Sequence, residues 1–325
     1  MKKKLNLNSI LQINGIGIII VYIAVFIVLG ILCPSFFTLT NVMIGIRQAV
    51  FIAICGFAMT FVISMGGIDL SVGSIAGFSA LMVAALITNG MNVPLAIVLT
   101  ILAGAVIGIV NGLLVTKMHI AYFIATLGTS EMLRGLIYVY TKGVPIYGVR
   151  DPKITWLGQG YVGFMPVPII ITILLFALSY YLFYKTKMGR YAVSIGSNSE
   201  AAHLVGINVD RIKILVMMYS GILCAIAGII LCARNEAATP EAGSSYVNNA
   251  IAATVIAGTS MSGGKGNMIG TVFGAVLMTT ISNGLSMLNV STYWHQVVIG
   301  AFILFAVAFD YFATSRERSK DTLKG

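Results

Sequence analysis

Long apolar runs recur along the whole chain, separated by short polar or glycine-rich punctuation. The stretches 16–33 and 167–183 carry no charged residue at all. Strands of a membrane barrel would alternate apolar and polar residues over about ten positions. Continuous runs instead predict helices, and a helix needs about 20 apolar residues to cross a bilayer. Candidate spans are 16–33, 41–63, 71–88, 93–116, 121–141, 166–184, 211–234, 248–262, 267–289 and 293–313. The pattern predicts an all-α fold, a polytopic helical membrane protein of about ten transmembrane helices. The stretch 248–262 is short and rich in Ala and Thr, so it reads either as a full span or as a broken, re-entrant piece. Residues 1–313 form one transmembrane domain, and 314–325 a solvated tail.

Composition agrees with lipid as the main solvent. The 325 residues are 58% hydrophobic and only 9% charged, against about 25% charged in soluble domains. The formal charge of +10 is spread out, with no dense patch for nucleic acid. In membrane proteins Lys and Arg mark the cytoplasmic loops. With a cytoplasmic start, the loops at 117, 185–190, 211–213 and 265 and both termini hold fourteen of the 20 basic residues. Outside lie Lys142, Arg150, Lys153 and Arg234. Both termini are therefore expected in the cytoplasm. The basic N-terminus precedes a retained first helix rather than a cleaved leader, because no small-residue cleavage site follows. Cys33, Cys55, Cys224 and Cys232 sit in or beside apolar runs without metal or redox spacing, and read as small buried hydrophobes.

The punctuation itself is patterned. "GGIDLSVGSIAG" (66–77) and "GGKGNMIGTVFG" (263–274) share GG-x5-G-[ST]-x-x-G. Gly66, Gly67, Gly73 and Ser74 fall on Gly263, Gly264, Gly270 and Thr271, with Lys265 inside the second copy. Paired glycine-interrupted segments suggest an internal duplication and point to a transporter's moving parts. Within the first copy, Ile68-Asp69-Leu70-Ser71 reads as a helix stop and restart. Asp69 and Ser71 are candidate caps for the restarting helix; Asp69 is equally a candidate for gating.

Other polar residues are weaker signals. Glu131 and Arg134 are three apart on one helix and are expected to pair. Arg47 is expected to snorkel or to find an acidic partner. His119, His203 and His295 lack metal spacing, and no metal site is expected. Tyr293 and Trp294 suit an interfacial belt. "GTSMSGGKGN" (258–267) superficially suggests a phosphate loop, but Lys265 is followed by Gly266 where a hydroxyl residue is required. The chain has neither an ATPase site nor a nucleophile–base pair, so it is not read as an enzyme. An ion-coupled secondary transporter remains an alternative, with Asp69, Glu131 or Glu241 as its working carboxylate.

Two loops are long enough to have roles. The external one, 142–165, is rich in Pro, Gly and aromatics and is expected to form a structured lid or interfacial segment. The internal one, 185–210, holds a short helix by its own signals. Gly196 is expected to break the preceding segment. Asn198 or a neighbouring serine caps the new helix, Glu200 sits in its first turn, and Gly206 ends it. Ala201, Ala202 and Leu204, with Val205, supply a small apolar face. A helix this short is unstable alone and needs a docking partner.

"GGIDLSVGS", "GRYAVSIGSNSEAAHLVGINVDRIK" and "AIAATVIAGTSMSGGKGNMIGTVFGA", in that order, resemble the permease subunits of bacterial ribose-type sugar ABC importers, within the branched-chain amino acid and sugar permease superfamily. The resemblance runs from about 34 to 310. It implies location in the bacterial cytoplasmic membrane. It also implies a second permease subunit, cytoplasmic ATP-binding cassette subunits that hold ATP and Mg, and an extracytoplasmic sugar-binding protein. This chain itself would bind no cofactor. The stretch 196–206 resembles the loop that docks into the ATPase.

Overall fold

The computed structural model describes residues 16–291 and 293–304. The basic N-terminal residues, the end of the last expected span and the tail at 314–325 lie outside the described residues. The described residues are helical, with only two-residue strand pairs among them. Helix α1 (Ile16–Leu32) is followed by a 3-10 turn (Pro34–Phe37). Then come α2 (Leu39–Ser64), α3 (Val72–Thr88), α4 (Val93–Thr116) and α5 (Tyr122–Thr141). A connecting segment holds β1 (Ile146–Tyr147), α6 (Pro152–Gln159), β2 (Tyr161–Val162) and β3 (Met165–Pro166). Helix α7 (Val167–Lys185) leads into α8 (Lys187–Ser197) and α9 (Ser199–Leu204). Next come α10 (Val209–Asn235), β4 (Ala237–Ala238), α11 (Tyr246–Ile256), α12 (Met268–Met287) and α13 (Tyr293–Leu304).

Among the described residues, five helices are long and apolar enough to cross a membrane: α2, α4, α7, α10 and α12. Helices α3, α11 and α13 are apolar but shorter. The stretch 248–262 proves to be a broken piece. Helix α11 has 11 residues, about 16 Å of rise, against roughly 30 Å of hydrocarbon.

Two helices are the hub. Most of α2 beyond Gln48 is buried, and α10 packs along α4, α3 and α2. The α4–α10 seam is made by glycines. A Cβ on Gly104 would lie 2.6 Å from the Gly221 carbonyl oxygen, and one on Gly108 would lie 2.2 Å from that of Met217. Without a hydrophobic drive inside lipid, such close backbone approach is what holds helices together. The largest core cluster fills the space around α2, with Phe57, Phe61, Met217 and Leu223 fully buried.

The segment 142–165 is structured. Strand β1 pairs antiparallel with β4, and β2 with β3. Asp151 caps α6 by accepting from the Lys153 N–H at 2.8 Å. Helix α6 lies on the end of α10, where Gly158 meets the backbone of Ala233 and Arg234. Arg47 finds an aromatic partner rather than the expected acid. It donates to the Tyr161 hydroxyl, with its guanidinium 4.9 Å from that ring's centroid. Lys117, Asp210, Lys213 and α8–α9 gather at the other end of the bundle, where Lys117 pairs with Asp210 at 2.8 Å.

Candidate functional site

Both copies of the glycine pattern fall where one helix stops and the next begins: α2 to α3, and α11 to α12. Gly66, Gly263 and Gly264 have φ of 83°, 80° and 77°, a left-handed backbone that L side chains rarely adopt. The two breaks touch. The Gly264 N–H donates to the Ser64 carbonyl oxygen at 2.9 Å, satisfying one of the orphan carbonyls at the end of α2. Asn267 caps α12 by accepting from the Gly270 N–H at 2.9 Å. Ser71, at the start of α3, makes no such side-chain cap bond.

A third segment enters this contact. Gly196 does not break its helix as the sequence suggested; α8 continues to Ser197. Its missing side chain serves packing instead. A Cβ there would lie 2.0 Å from the Ser64 oxygen and 2.6 Å from the Gly264 nitrogen. A Cβ on Gly263 would fall 2.8 Å from the Gly196 oxygen and 3.0 Å from the Gly66 nitrogen. Three glycine backbones, from both breaks and from the segment between α7 and α10, thus meet at one point. Gly67 is closed in by the Tyr122 ring, and Gly73 by the Gly243 carbonyl. Lys265 is exposed beside the junction.

Beyond the junction, Asn198 accepts from the Ala201 N–H at 2.9 Å and caps α9. Glu200 lies in its first turn. The Gly206 N–H reaches the His203 carbonyl, and the Ile207 N–H that of Ala202, a Schellman stop with Gly206 at φ 85°. Only Ala202 of the expected apolar face turns inward, where it is buried. Ala201 and Glu200 are exposed, while Leu204 and Val205 are 81% and 76% exposed.

Asp69 lies fully inside, away from the junction's surface. Its carboxylate accepts from the Ser71 N–H at 2.9 Å, the Ser71 hydroxyl at 2.5 Å and the Ser220 hydroxyl at 2.8 Å. Ser71 Oγ accepts from Asn111 at 2.9 Å, and Asn111 Oδ1 accepts from Thr129 at 2.6 Å. The chain of bonds ties the first break to α10, α4 and α5. Asp69 therefore closes a turn and anchors it; it does not cap α3 through that helix's own N–H groups. Ser74 and Thr271, equivalent in the two copies, each bond across to another helix, to Ser130 at 2.7 Å and Thr60 at 2.8 Å.

The expected Glu131–Arg134 pair does not form. Arg134 instead donates to the carbonyl oxygens of Pro240 and Ala242 at 2.9 and 3.0 Å. Ser220, Asn111 and Thr129 were not singled out by sequence. Each looks like an ordinary polar residue within an apolar run, and only their convergence marks them. The GxxxGxxxG spacing of Gly104, Gly108 and Gly112 was a signal that could have found the α4–α10 seam.

Residues 41–307 match the family described as "Branched-chain amino acid transport system / permease component". The chain belongs to this family. Relatives of this permease include the ribose import permease protein RbsC of Bacillus subtilis, 42% identical over 95% of this chain and 96% of that protein. The RbsC proteins of Haemophilus influenzae and Escherichia coli K12 are 38% and 39% identical, over 91% and 87% of this chain and 94% and 89% of theirs. No solved structure matches the chain. As a permease component it is a multi-pass membrane protein built for transport.

Proposed function

We propose that this permease is the membrane subunit of an ATP-driven importer for a ribose-like monosaccharide. An extracytoplasmic binding protein delivers the sugar. Cytoplasmic ATP-binding cassette subunits, which hold ATP and Mg, supply the work, and a second permease subunit completes the path. The chain sits in the bacterial cytoplasmic membrane with both termini inside. It binds no cofactor itself and catalyses no reaction.

One observation carries the reading. At the basic end of the bundle, no described element covers Leu204 and Val205 at the end of α9, while Gly196, three residues before that helix in α8, is wedged between the two helix breaks. A partner gripping α9 would pull directly on the backbone at both breaks. The mechanism follows from that leverage. ATP-driven closure of the partners moves α8 and α9 as a unit, the glycine junction shifts, and the helices on either side of each break swing together. The buried Asp69 network keeps the first break attached to α10, α4 and α5 throughout. The names of the curated relatives supply the sugar class; the junction supplies the route for force.

The test is Ala201→Arg in the complete importer. It should abolish binding of the ATPase and ATP-dependent ribose uptake, with the permease still folded and present in the membrane. Normal assembly and uptake would overturn the docking role of α9. Uphill uptake by vesicles holding this chain alone would overturn the whole reading.

A further inference from the structure

Exposed helix surfaces in this chain are mostly those that lipid would accept. Along α4 they are Leu95, Val98, Leu102 and Val106; along α7, Ile173, Leu174 and Leu178. Helix α5 differs. Glu131 stands at its midpoint and is exposed. Gly128 and Gly135 flank it on the same face, and a Cβ at either would meet nothing within 4 Å. Arg134, the nearest cation in sequence, is turned to two backbone carbonyls. Neither ion pair among the described residues includes Glu131. Helix α5 has 20 residues, yet it is not among the five helices apolar enough to cross.

A carboxyl group directed at hydrocarbon is strongly unfavourable, and intramembrane ionisable residues face a bundle interior or water. The interior of this chain does not receive Glu131. Two surface cavities do not serve either, since one is lined by Val93, Ile97, Trp156 and Leu157 with Lys153 and the other by Phe57, Phe176 and Phe273 with Thr172. Both are mostly apolar and unsuited to a sugar. A hydroxyl-rich solute needs acceptors in a wetted channel, and α5 offers one with open glycines on either side.

We propose that this face of α5 lines the aqueous route through the assembled importer, and that Glu131 accepts hydrogen bonds from the hydroxyls of a passing neutral sugar. The opposite wall comes from the second permease subunit. Gly128 and Gly135 keep the route wide at the depth of the carboxylate. The inference rests on the importer reading above and adds the place and chemistry of cargo contact.

The experiment uses the whole importer in vesicles, with Cys33→Ser removing the one described cysteine that is not buried. Glu131→Cys and, as a lipid-facing control, Leu102→Cys are treated with a charged, membrane-impermeant thiol reagent. Glu131→Cys should react at least about tenfold faster than the control, and ribose with its binding protein and ATP should slow it. Equal, slow reaction at both positions would overturn the route. Glu131→Leu should raise the KM for ribose uptake about tenfold, with ATPase binding unchanged, and Glu131→Gln should fall between. An unchanged KM would overturn the contact. Failure of the unmutated importer to take up ribose would count against the importer reading instead.

Discussion

At the scale of single residues, the instructive case is Asp69. Isolated in a glycine-rich break, it invites a reading as a proton- or ion-linked carboxylate. Its surroundings argue for an anchor. Three donors from Ser71 and Ser220 satisfy it, and Asn111 and Thr129 extend the chain of bonds. Buried polar groups are expensive only when their partners are missing. Asp69→Asn keeps an acceptor for Ser71 and offers Ser220 a donor, so uptake should persist, with a stability loss of about 1 kcal/mol. Asp69→Leu strands two hydroxyls and an N–H, and should cost about 3 kcal/mol or more. Thermal unfolding of the detergent-solubilised protein, read beside uptake, separates the two. Loss of uptake in the folded Asn variant would mean that the charge itself is used.

At the scale of elements, the junction of Ser64–Gly66, Gly196 and Gly263–Gly264 links three pieces far apart in sequence. Contact there is backbone to backbone, so it transmits displacement with little slack. Gly196→Ala places a methyl group 2.0 Å from the Ser64 oxygen. Overpacking of this kind costs roughly 1–3 kcal/mol, and here it must be relieved by moving α8 away from the breaks. The expected outcome is a variant that still binds the ATPase through α9 but hydrolyses ATP with little sugar transport. Coupled transport at the normal ratio of sugar to ATP would show that force travels by another path. Gly300→Ala, on α13, is the matched control, since a Cβ there would meet nothing within 4 Å.

At the scale of the whole molecule, the segment 142–165 and the α8–α9 hook occupy opposite ends of the bundle. The end formed by 142–165 carries exposed Tyr147, Trp156 and Tyr161, amphipathic rings of the kind that settle at a membrane interface or a partner's surface, with exposed Phe164 beside them. The hook end carries Lys117, Lys187, Arg190 and Lys213. The charge bias predicts that the hook end faces the cytoplasm. Val205→Cys should therefore react with an impermeant thiol reagent only in inside-out vesicles, and Phe164→Cys only in intact cells with a permeable outer layer. The reverse pattern would invert the orientation and with it the direction of transport.

The hydrophobic pattern by itself determined the helical class and the positions of most helices, because continuous apolar runs have few stable solutions in lipid. It also determined α9 almost residue by residue, since the cap at Asn198 and the stop at Gly206 are local chemistry. The glycine pattern located both helix breaks for the same reason. Tertiary structure alone decided what those breaks touch. Gly196 looked like a helix breaker because a glycine's local preference is visible in sequence, whereas a neighbour 68 positions away, Gly264, is not. Arg134 chose carbonyls over Glu131, and Ser220 came to Asp69, for the same cause: long-range contacts follow from how helices pack, and packing depends on every seam at once.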